Sequence, residues 1–330
     1  MKRNFFASLS VVAVAGLCLV MARPGLRAQE KVAGAKPEMS ATEFARIFKE
    51  NNNWGRWGKD DMLGIINLIT DAKRKQAAAL VKSGITVSLS HDLMTEGAAD
   101  NGAGSFKRDL APNFQVDTYF FRYHGGFVTH QDALCHMFFE NQIYNGKPLN
   151  TKDCIPGIDN LKNGIVTRAV LVDIPRLKGV PYLEPGTRIY STDIEAWEKM
   201  AGVKISSGDA IILRTGRWDR RTKMGPERVL GNSAGFDVSV APWLRKRDVA
   251  LIGADVSVEA QLTPPYVEGQ PIPLHTFCIA GLGMPIIDNV DAEELAQTAA
   301  RLKRWDFMLV AAPLRVPGGT GSPENPIAIF

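Results

Sequence analysis

Residues 165–174 read IVTRAVLVDI, a run apolar enough to form a strand in the middle of a sheet. Two runs of the same type follow, AIILRTG at 210–216 and VALIGAD at 249–255. Helical patterns alternate with them, DIEAWEKMAG at 193–202 and AEELAQTAARLKRW at 292–305. This alternation, with no Pro/Gly/Ser-rich divide, predicts a single α/β domain built on a mixed sheet.

Shorter elements are predicted on either side of these strands. DAKRKQAAALVKSG at 71–84 is typical of a helix stopped by its glycine, and ITVSLS at 85–90 alternates like a strand. YFFRYH at 119–124 is predicted as another strand, and FMLVAAPL at 307–314 as the last one. The tail VPGGTGSPENP at 316–326 then predicts a tight turn packed on the body, because no helix follows to make it a phosphate loop.

The N-terminus has the pattern of an export signal. MKR precedes an apolar run at 11–22, which is too short to span a membrane, and small residues follow. We expect residues 1–28 to be a cleaved signal peptide, 29–39 a linker and 40–330 one domain. The mature protein would then be periplasmic or secreted, the alternative being an uncleaved anchor.

Removal of residues 1–28 leaves no net charge. The chain has 39 basic and 35 acidic residues, and the signal contains four of the basic ones and no acid, so 35 of each sign remain. A neutral mature chain predicts no nucleic-acid partner and no membrane partner after cleavage. The mature cysteines, Cys135, Cys154 and Cys278, are too few for a disulfide framework but allow one bridge.

Three of the five histidines lie between residues 124 and 136, and two of them belong to the stretch THQDALCH at 129–136. On a strand, His130 and Asp132 would point to the same face, where an imidazole and a carboxylate can bind one metal ion. His136 would complete the site or act beside it as an acid or base. Nitrogen and oxygen ligands without thiolate suit zinc, manganese or iron(II).

Two further residues are candidates for a second half-site. His275 opens an apolar stretch after a proline-rich loop, and Asp288 closes it. A histidine buried in the core would explain the first equally well. His91 is interpreted as a hydrogen-bonded residue at a strand end, outside the site.

Nucleophilic catalysis is the competing chemistry. Cys135 adjoins His136, but neighbouring side chains on a strand point apart, and the chain contains no GxSxG. Cys135 is therefore interpreted as a small buried residue that fills space in the core.

The stretch THQDALCH resembles the histidine–aspartate signature of the metal-dependent cyclase family, which includes bacterial kynurenine formamidase and isatin hydrolase. Five more stretches resemble that family in the same order, so the likeness covers the chain from about Trp54 to the end. They are WGRWGKDDMLGIINLIT, GDAIILRTG, APWLRKRDVALIGAD, PLHTFCIAGLGMPIIDNV and APLRVPGGTGSPENPIA. The resemblance implies a swivelling β/β/α fold and a hydrolase with one or two divalent ions, zinc or manganese.

The resemblance also implies roles for individual residues. His130 and Asp132 match ligands of a first metal, and His275 a ligand of a second. His136 matches the catalytic histidine, and Asp288 matches a glutamate that binds the second metal or assists catalysis.

Two positions depart from the family pattern. Gly126 stands where the family has its first histidine ligand, and the nearest substitute, His124, would lie about 20 Å from His130 along an extended chain. His124 can act as a ligand only if Gly125 and Gly126 let the chain turn back. The second departure is Asp288 itself, whose side chain is one methylene shorter than glutamate.

The expected activity is hydrolysis of a small amide, cyclic amide or lactone by metal-activated water, as in an amidase for C–N bonds other than peptide bonds. Trp54, Trp57 and Phe121 are predicted to contact a planar or aromatic substrate, and the family implies a homo-oligomer. Two alternatives stay open. One is a non-catalytic periplasmic binding protein on the same fold, and the other is a metal-dependent cyclase or dehydratase.

Overall fold

The computed structural model describes residues 37–111, 113, 115–150 and 152–330. The predicted signal peptide and most of the predicted linker lie outside the described residues. No helix in the described part of the chain has the length and apolar character needed to cross a membrane.

Eight helices surround the sheet in the described residues, and the seventh continues without a break as a π-helix at Thr276–Leu282. Short 3-10 helices lie at Gly64–Leu68, Tyr144–Gly146, Ile158–Leu161 and Val238–Val240. The eight helices are α1 (Ala41–Asn51), α2 (Asp71–Ala78), α3 (Ile174–Lys178), α4 (Ser191–Ala201), α5 (Arg217–Met224), α6 (Ala241–Arg247), α7 (Pro273–His275) and α8 (Glu293–Leu302).

Nine strands form the main sheet, and four others form two small two-stranded sheets. The main-sheet strands are β1 (Thr86–Ser88), β4 (His130–Asp132), β5 (Ile165–Asp173), β7 (Ala210–Arg214), β9 (Leu251–Ala254), β10 (Ile286–Asp288), β11 (Asp306–Ala311), β12 (Gly321–Pro323) and β13 (Ile327–Ile329). The small sheets pair β2 (Phe106–Ala111) with β3 (Val116–Phe121), and β6 (Arg188–Ile189) with β8 (Gly235–Phe236).

The strand order in the main sheet is β1-β13-β11-β5-β7-β9-β10-β4-β12. Strands β5, β7, β9 and β10 run parallel to one another, and the pairs outside them are antiparallel. The sheet is therefore mixed, as the alternation of strands and helices predicts, and the α/β class is confirmed.

Burial on both faces explains why the central strands are continuously apolar. Val170 and Val172 of β5 pack in one hydrophobic cluster, while Ala169 and Leu171 pack in the cluster on the opposite face. Helices cover both faces of a parallel sheet, so a strand there has no polar side to present to water.

Several predicted boundaries are wrong. Helix α2 ends at Ala78 rather than at Gly84, and strand β1 covers only Thr86–Ser88. The strand predicted at 119–124 runs instead from Val116 to Phe121, and the chain bends from His124 onward toward β4.

The turn predicted in the tail is present at residues 317–318, but strand β12 follows it within the same stretch and strand β13 comes directly after the stretch. β13 pairs with both β1 and β11, and β12 pairs with β4 at the far edge. The buried C-terminal Phe330 accepts hydrogen bonds at its carbonyl from the backbone of Ser83 and Gly84. The sequence does not indicate β12, because it consists of Gly, Ser and Pro, and glycine and proline are depleted in strands.

Glu324 follows β12 and places a carboxyl group in the interior. Both of its oxygens are buried and have no hydrogen-bond partner among the described residues. Burial raises the pKa of Glu324 to about 8. The folded protein therefore keeps a proton that the unfolded chain releases from about pH 4.5 upward, and this carboxyl group makes the fold less stable as pH rises toward 8.

We expect the melting temperature of the wild type to fall between about pH 5 and pH 9 more steeply than that of Glu324→Gln, since glutamine cannot ionise. Thermal unfolding across this range measures the difference. Glu294→Gln, at an exposed position of α8, is the control and should follow the wild type. Parallel pH curves for wild type and Glu324→Gln would contradict the prediction.

Candidate metal centre

The short strand β4 places His130 and Asp132 side by side. Both are buried, and residues two apart on a strand share a face, as predicted. His130 Nδ1 lies 2.8 Å from the Val128 carbonyl, to which it donates as the Nδ1–H tautomer. That bond leaves Nε2 free to act as a ligand, 3.6 Å from Asp132 Oδ1.

His124 turns back to the same place. The chain bends between Gly125 and Thr129, and His124 Nδ1 lies 3.2 Å from Asp132 Oδ1. The extended distance of about 20 Å therefore does not apply. A side chain at Gly126 would meet Val229 Cγ2 at 2.6 Å, so the glycine leaves room for Val229 to pack against the bend. The His124 imidazole thus lies beside Asp132 although position 126 is a glycine.

His136 stands at the accessible side of this group. Its ring stacks on that of His124, with centroids 4.1 Å apart and planes 1° apart. Its Nε2 lies 4.0 Å from Asp132 Oδ1. The side chain of His136 is 25% exposed and that of His124 is 32% exposed, whereas His130 and Asp132 are sealed, so a small molecule reaches the group past these two rings.

His275 and Asp288 meet the other oxygen of Asp132. His275 Nε2 lies 3.7 Å from Asp132 Oδ2 and 3.1 Å from Asp288 Oδ2. Asp288 also accepts a hydrogen bond at Oδ1 from the Val258 backbone N–H. Asp132 therefore belongs to two triads, one with His124 and His130 and one with His275 and Asp288.

The sheet register compensates for the short side chain of Asp288. Strands β10 and β4 are antiparallel neighbours, and Asp288 stands directly opposite His130. Directly opposite Cβ atoms lie about 5 Å apart, so an aspartate already reaches the group without the extra methylene of a glutamate.

The types of donor atom in the two triads, and the buried donor atoms that lack a hydrogen bond, fit divalent metal ions. In each triad one ligand atom per residue lies within 4.8 Å of the others. Asp132 Oδ1 and His124 Nδ1 are buried and lie 3.2 Å apart, but neither makes a hydrogen bond of suitable geometry, with the other or with any further described residue. Imidazole and carboxylate donors suit zinc and manganese, and a carboxylate with one oxygen toward each triad can bridge two ions.

The ionisable side chains of the two triads and His136 shift one another's pKa values. Burial alone would raise the pKa of Asp132, but the four histidines around it outweigh that effect and lower the pKa. Burial lowers the pKa of His136, with help from the other histidines and against the pull of Asp132. Burial also opposes the charge on His275, yet Glu259 and Asp288 hold the pKa of His275 well above its usual value.

Glu259 orients the second triad and is a residue that the sequence analysis missed. Its carboxylate lies 2.8 Å from His275 Nδ1 and accepts the His275 backbone N–H at 2.8 Å. Nδ1–H donation to Glu259 directs Nε2 toward Asp132 and Asp288. Glu259 could have been found from the sequence, because it is the acid in VSVEA at 256–260, shortly after the carboxyl end of the parallel strand β9. Parallel sheets commonly place functional residues at that end of their strands.

The tail contacts His124 of the first triad, and the sequence analysis did not predict this contact. Thr320 Oγ1 lies 3.0 Å from His124 Nε2, and Tyr123 donates its hydroxyl to the Gly321 carbonyl at 2.8 Å. A side chain at Gly321 would meet the Gln131 carbonyl at 2.5 Å and His124 Cε1 at 3.2 Å. The glycine therefore lets the tail strand approach the group closely.

Cys135 is not a free residue that fills core space, which corrects the prediction. It forms a disulfide with Cys154, across 19 residues of sequence. The bond fixes the residue immediately before His136 to a distant loop and removes the thiol as a nucleophile. Cys278 remains free and buried.

The three residues predicted to contact substrate pack against side chains outside the two triads. Trp54 packs against Phe48 and donates Nε1–H to the Ala280 carbonyl at 2.7 Å. Trp57 lies under the guanidinium of Arg56, and Phe121 packs against Phe106 in the hairpin. None of these contacts involves the two triads, and a role in substrate binding stays a prediction. His91 lies outside the triads as expected, with Nε2 3.2 Å from Asp291 Oδ2.

Sequence comparison assigns the architecture to a family. The family model Cyclase matches residues 76–260, a span that contains β4 with both triad residues His130 and Asp132. The chain belongs to the cyclase family. No protein of curated function matches the chain significantly.

Solved structures agree with the cyclase assignment. A crystal structure described as a novel cyclase has 29% identity and a TM-score of 0.74, covering 85% of this chain and 100% of its own. Isatin hydrolase A from Labrenzia aggregata, bound to benzyl benzoate, has 19% identity and a TM-score of 0.54, with coverages of 76% and 94%. Isatin hydrolase A from Ralstonia solanacearum has 20% identity and a TM-score of 0.53, with coverages of 74% and 92%. The expected cyclase-like fold is confirmed.

The two triads predict the metal content of each variant. After loading with zinc or manganese, we expect two equivalents in the wild type, one in His124→Ala, one in His275→Ala and none in Asp132→Asn, because only Asp132 belongs to both triads. Elemental analysis of the desalted proteins measures this.

His91→Ala is the matched control, since it removes a histidine outside the triads and should keep both equivalents. A wild type that retains no metal after loading, or an Asp132→Asn variant that retains as much as the wild type, would contradict the prediction.

Proposed function

We propose that this cyclase-family protein is a metal-dependent hydrolase of a small amide, cyclic amide or lactone. The observation that carries the proposal is the shared carboxylate of Asp132, with its two oxygens facing two triads at the accessible end of a buried strand. A divalent cation in such a site supplies Lewis acidity, which acidifies water and polarises a carbonyl group.

The residues that hold the cations are proposed from their contacts. His124, His130 and Asp132 would hold the first, and Asp132, His275 and Asp288 the second. The hydrogen bonds from His130 to Val128 and from His275 to Glu259 fix the direction of each imidazole. Ligands oriented in advance do not have to reorganise when substrate binds.

His136 is proposed to move the proton. Hydrolysis of an amide forms a C–O bond, breaks the C–N bond and transfers a proton from the attacking water to the leaving nitrogen. His136 is accessible, and its lowered pKa keeps the imidazole neutral near pH 7, so it can accept that proton and pass it on. For a lactone, the leaving oxygen takes the place of the nitrogen.

The alternatives make different predictions. A non-catalytic binding protein was favoured by the missing histidine at Gly126, and that argument weakens because His124 lies beside Asp132. A cyclase or dehydratase would use the same ions but lose water from its substrate. The products of a hydrolase together outweigh the substrate by one water, as a single product for a cyclic amide or lactone and as two fragments for an open-chain amide.

We expect the metal-loaded wild type to hydrolyse at least one member of a panel of aryl formamides, cyclic imides and lactones. His136→Gln should lower kcat by roughly 10²–10⁴, the contribution of a general acid or base, and leave the metal content unchanged. Mass spectrometry of the products with steady-state kinetics tests both points.

His91→Gln is the control and should keep wild-type kcat. Absence of turnover across the panel by fully metal-loaded protein would contradict the proposed activity. Full activity of His136→Gln would contradict the role of His136 alone.

We also propose that the protein is exported and that its signal peptide is removed. The support, besides the N-terminal sequence, is the disulfide between Cys135 and Cys154, since such bonds persist in oxidising compartments. Mass spectrometry of the protein from the periplasm of a bacterial host should find an N-terminus after Ala28 and one disulfide. An intact N-terminus with free thiols at Cys135 and Cys154 would contradict export. The expected homo-oligomer stays a prediction.

A further inference from the structure

A cavity of about 280 Å³ opens beside His124. It is lined by residues from three segments, 99–105, 122–128 and 228–230. Its volume is close to the lower end of the range for small-molecule sites. His124 lines the cavity and is the most exposed member of the first triad, so a molecule in this cavity contacts the candidate metal centre at His124.

Two arginines in the cavity wall have no acidic partner. Arg122 and Arg228 both line it, and no carboxylate of residues 37–330 that the structure describes lies within salt-bridge distance of either. Three other arginines near the cavity do have acidic partners: Arg217 and Arg221 share Asp100, and Arg220 pairs with Glu227.

Asp100 does not cancel the charge of the two arginines. It is the one acid among the described residues of the cavity wall, and it is buried. Its carboxylate accepts hydrogen bonds from Arg217 at 2.9 Å and from Arg221 at 2.6 and 3.2 Å. Its negative charge is therefore already balanced, and the cavity has an excess of positive charge beside His124.

Two aromatic residues, Tyr123 and Phe127, also line the cavity. Phe127 is buried against Trp218, whereas Tyr123 is partly exposed and is held in place by its hydrogen bond to the Gly321 carbonyl. Guanidinium groups bind carboxylates through paired hydrogen bonds, and aromatic side chains pack against planar rings. The cavity wall thus contains arginines that can bind an anion and an aromatic residue that can pack against a planar ring.

We propose that this cavity selects a substrate that carries a carboxylate on a planar ring, with Arg122 and Arg228 binding the carboxylate and the hydrolysable bond directed toward His124. The assignment of the bound molecule as a substrate rests on the proposed hydrolase function. The binding preference itself depends only on the two arginines and can be measured without turnover.

The test compares two ligands of nearly equal shape, 2-aminobenzoate and its neutral counterpart 2-aminobenzamide. Isothermal titration calorimetry with the protein as purified should show tighter binding of 2-aminobenzoate. Arg122→Gln and Arg228→Gln should each weaken its binding roughly tenfold or more, because each removes a charged hydrogen bond, and should leave the binding of 2-aminobenzamide unchanged.

Arg315→Gln is the matched control, since Arg315 is exposed and does not line the cavity, and it should bind both ligands like the wild type. Equal affinity for the two ligands, or no binding of either, would overturn the proposal. A preference for 2-aminobenzoate that survives both arginine substitutions would also overturn it, because groups other than these two arginines would then bind the carboxylate. A wild type with the expected preference but no hydrolase activity would overturn the proposed function and leave the anion site supported.

Discussion

The buried negative charge of Asp132 is the constraint on which the arrangement of this site depends. A carboxylate sealed from water is costly unless charged or hydrogen-bonding groups surround it. Four histidines provide that surrounding here: three come from residues 124–136, in a bend, the strand β4 and the loop after it, and His275 comes from helix α7. The polar centre therefore joins helix α7 to strands β4 and β10, which the sheet already pairs through their backbones.

The parallel strands bring the second triad to this point. Strand β10 stands between β9 and β4, so Asp288 faces His130 while Glu259 follows β9 shortly after its end. Glu259 in turn holds the ring of His275 at the start of the π-helix. A chain of hydrogen bonds thus runs from the sheet to the helix, and the direction of the His275 ring is set by the fold rather than by a bound ion.

The parts of the fold and of the site that depend on a local sequence pattern could be predicted from the sequence. The central strands, with side chains buried on both faces, are continuous apolar runs, and the two-residue spacing of His130 and Asp132 requires only that β4 be a strand. The position of His124 could not be predicted, because it depends on a bend between Gly125 and Thr129 that packs against Val229. The roles of Thr320, Glu259 and the Cys135–Cys154 disulfide depend on contacts between segments far apart in sequence, which no local pattern reveals.

The position of the last strands has a consequence for the order of assembly. Strand β13 lies between β1 and β11, both of which precede it in the chain, and β12 completes the opposite edge beside β4. The sheet thus stays open until residues 321–329 can pair, and Thr320 reaches His124 only when this part of the chain is in place. A nascent chain that still lacks these residues therefore lacks both the closed edge and the contact that holds the His124 ring.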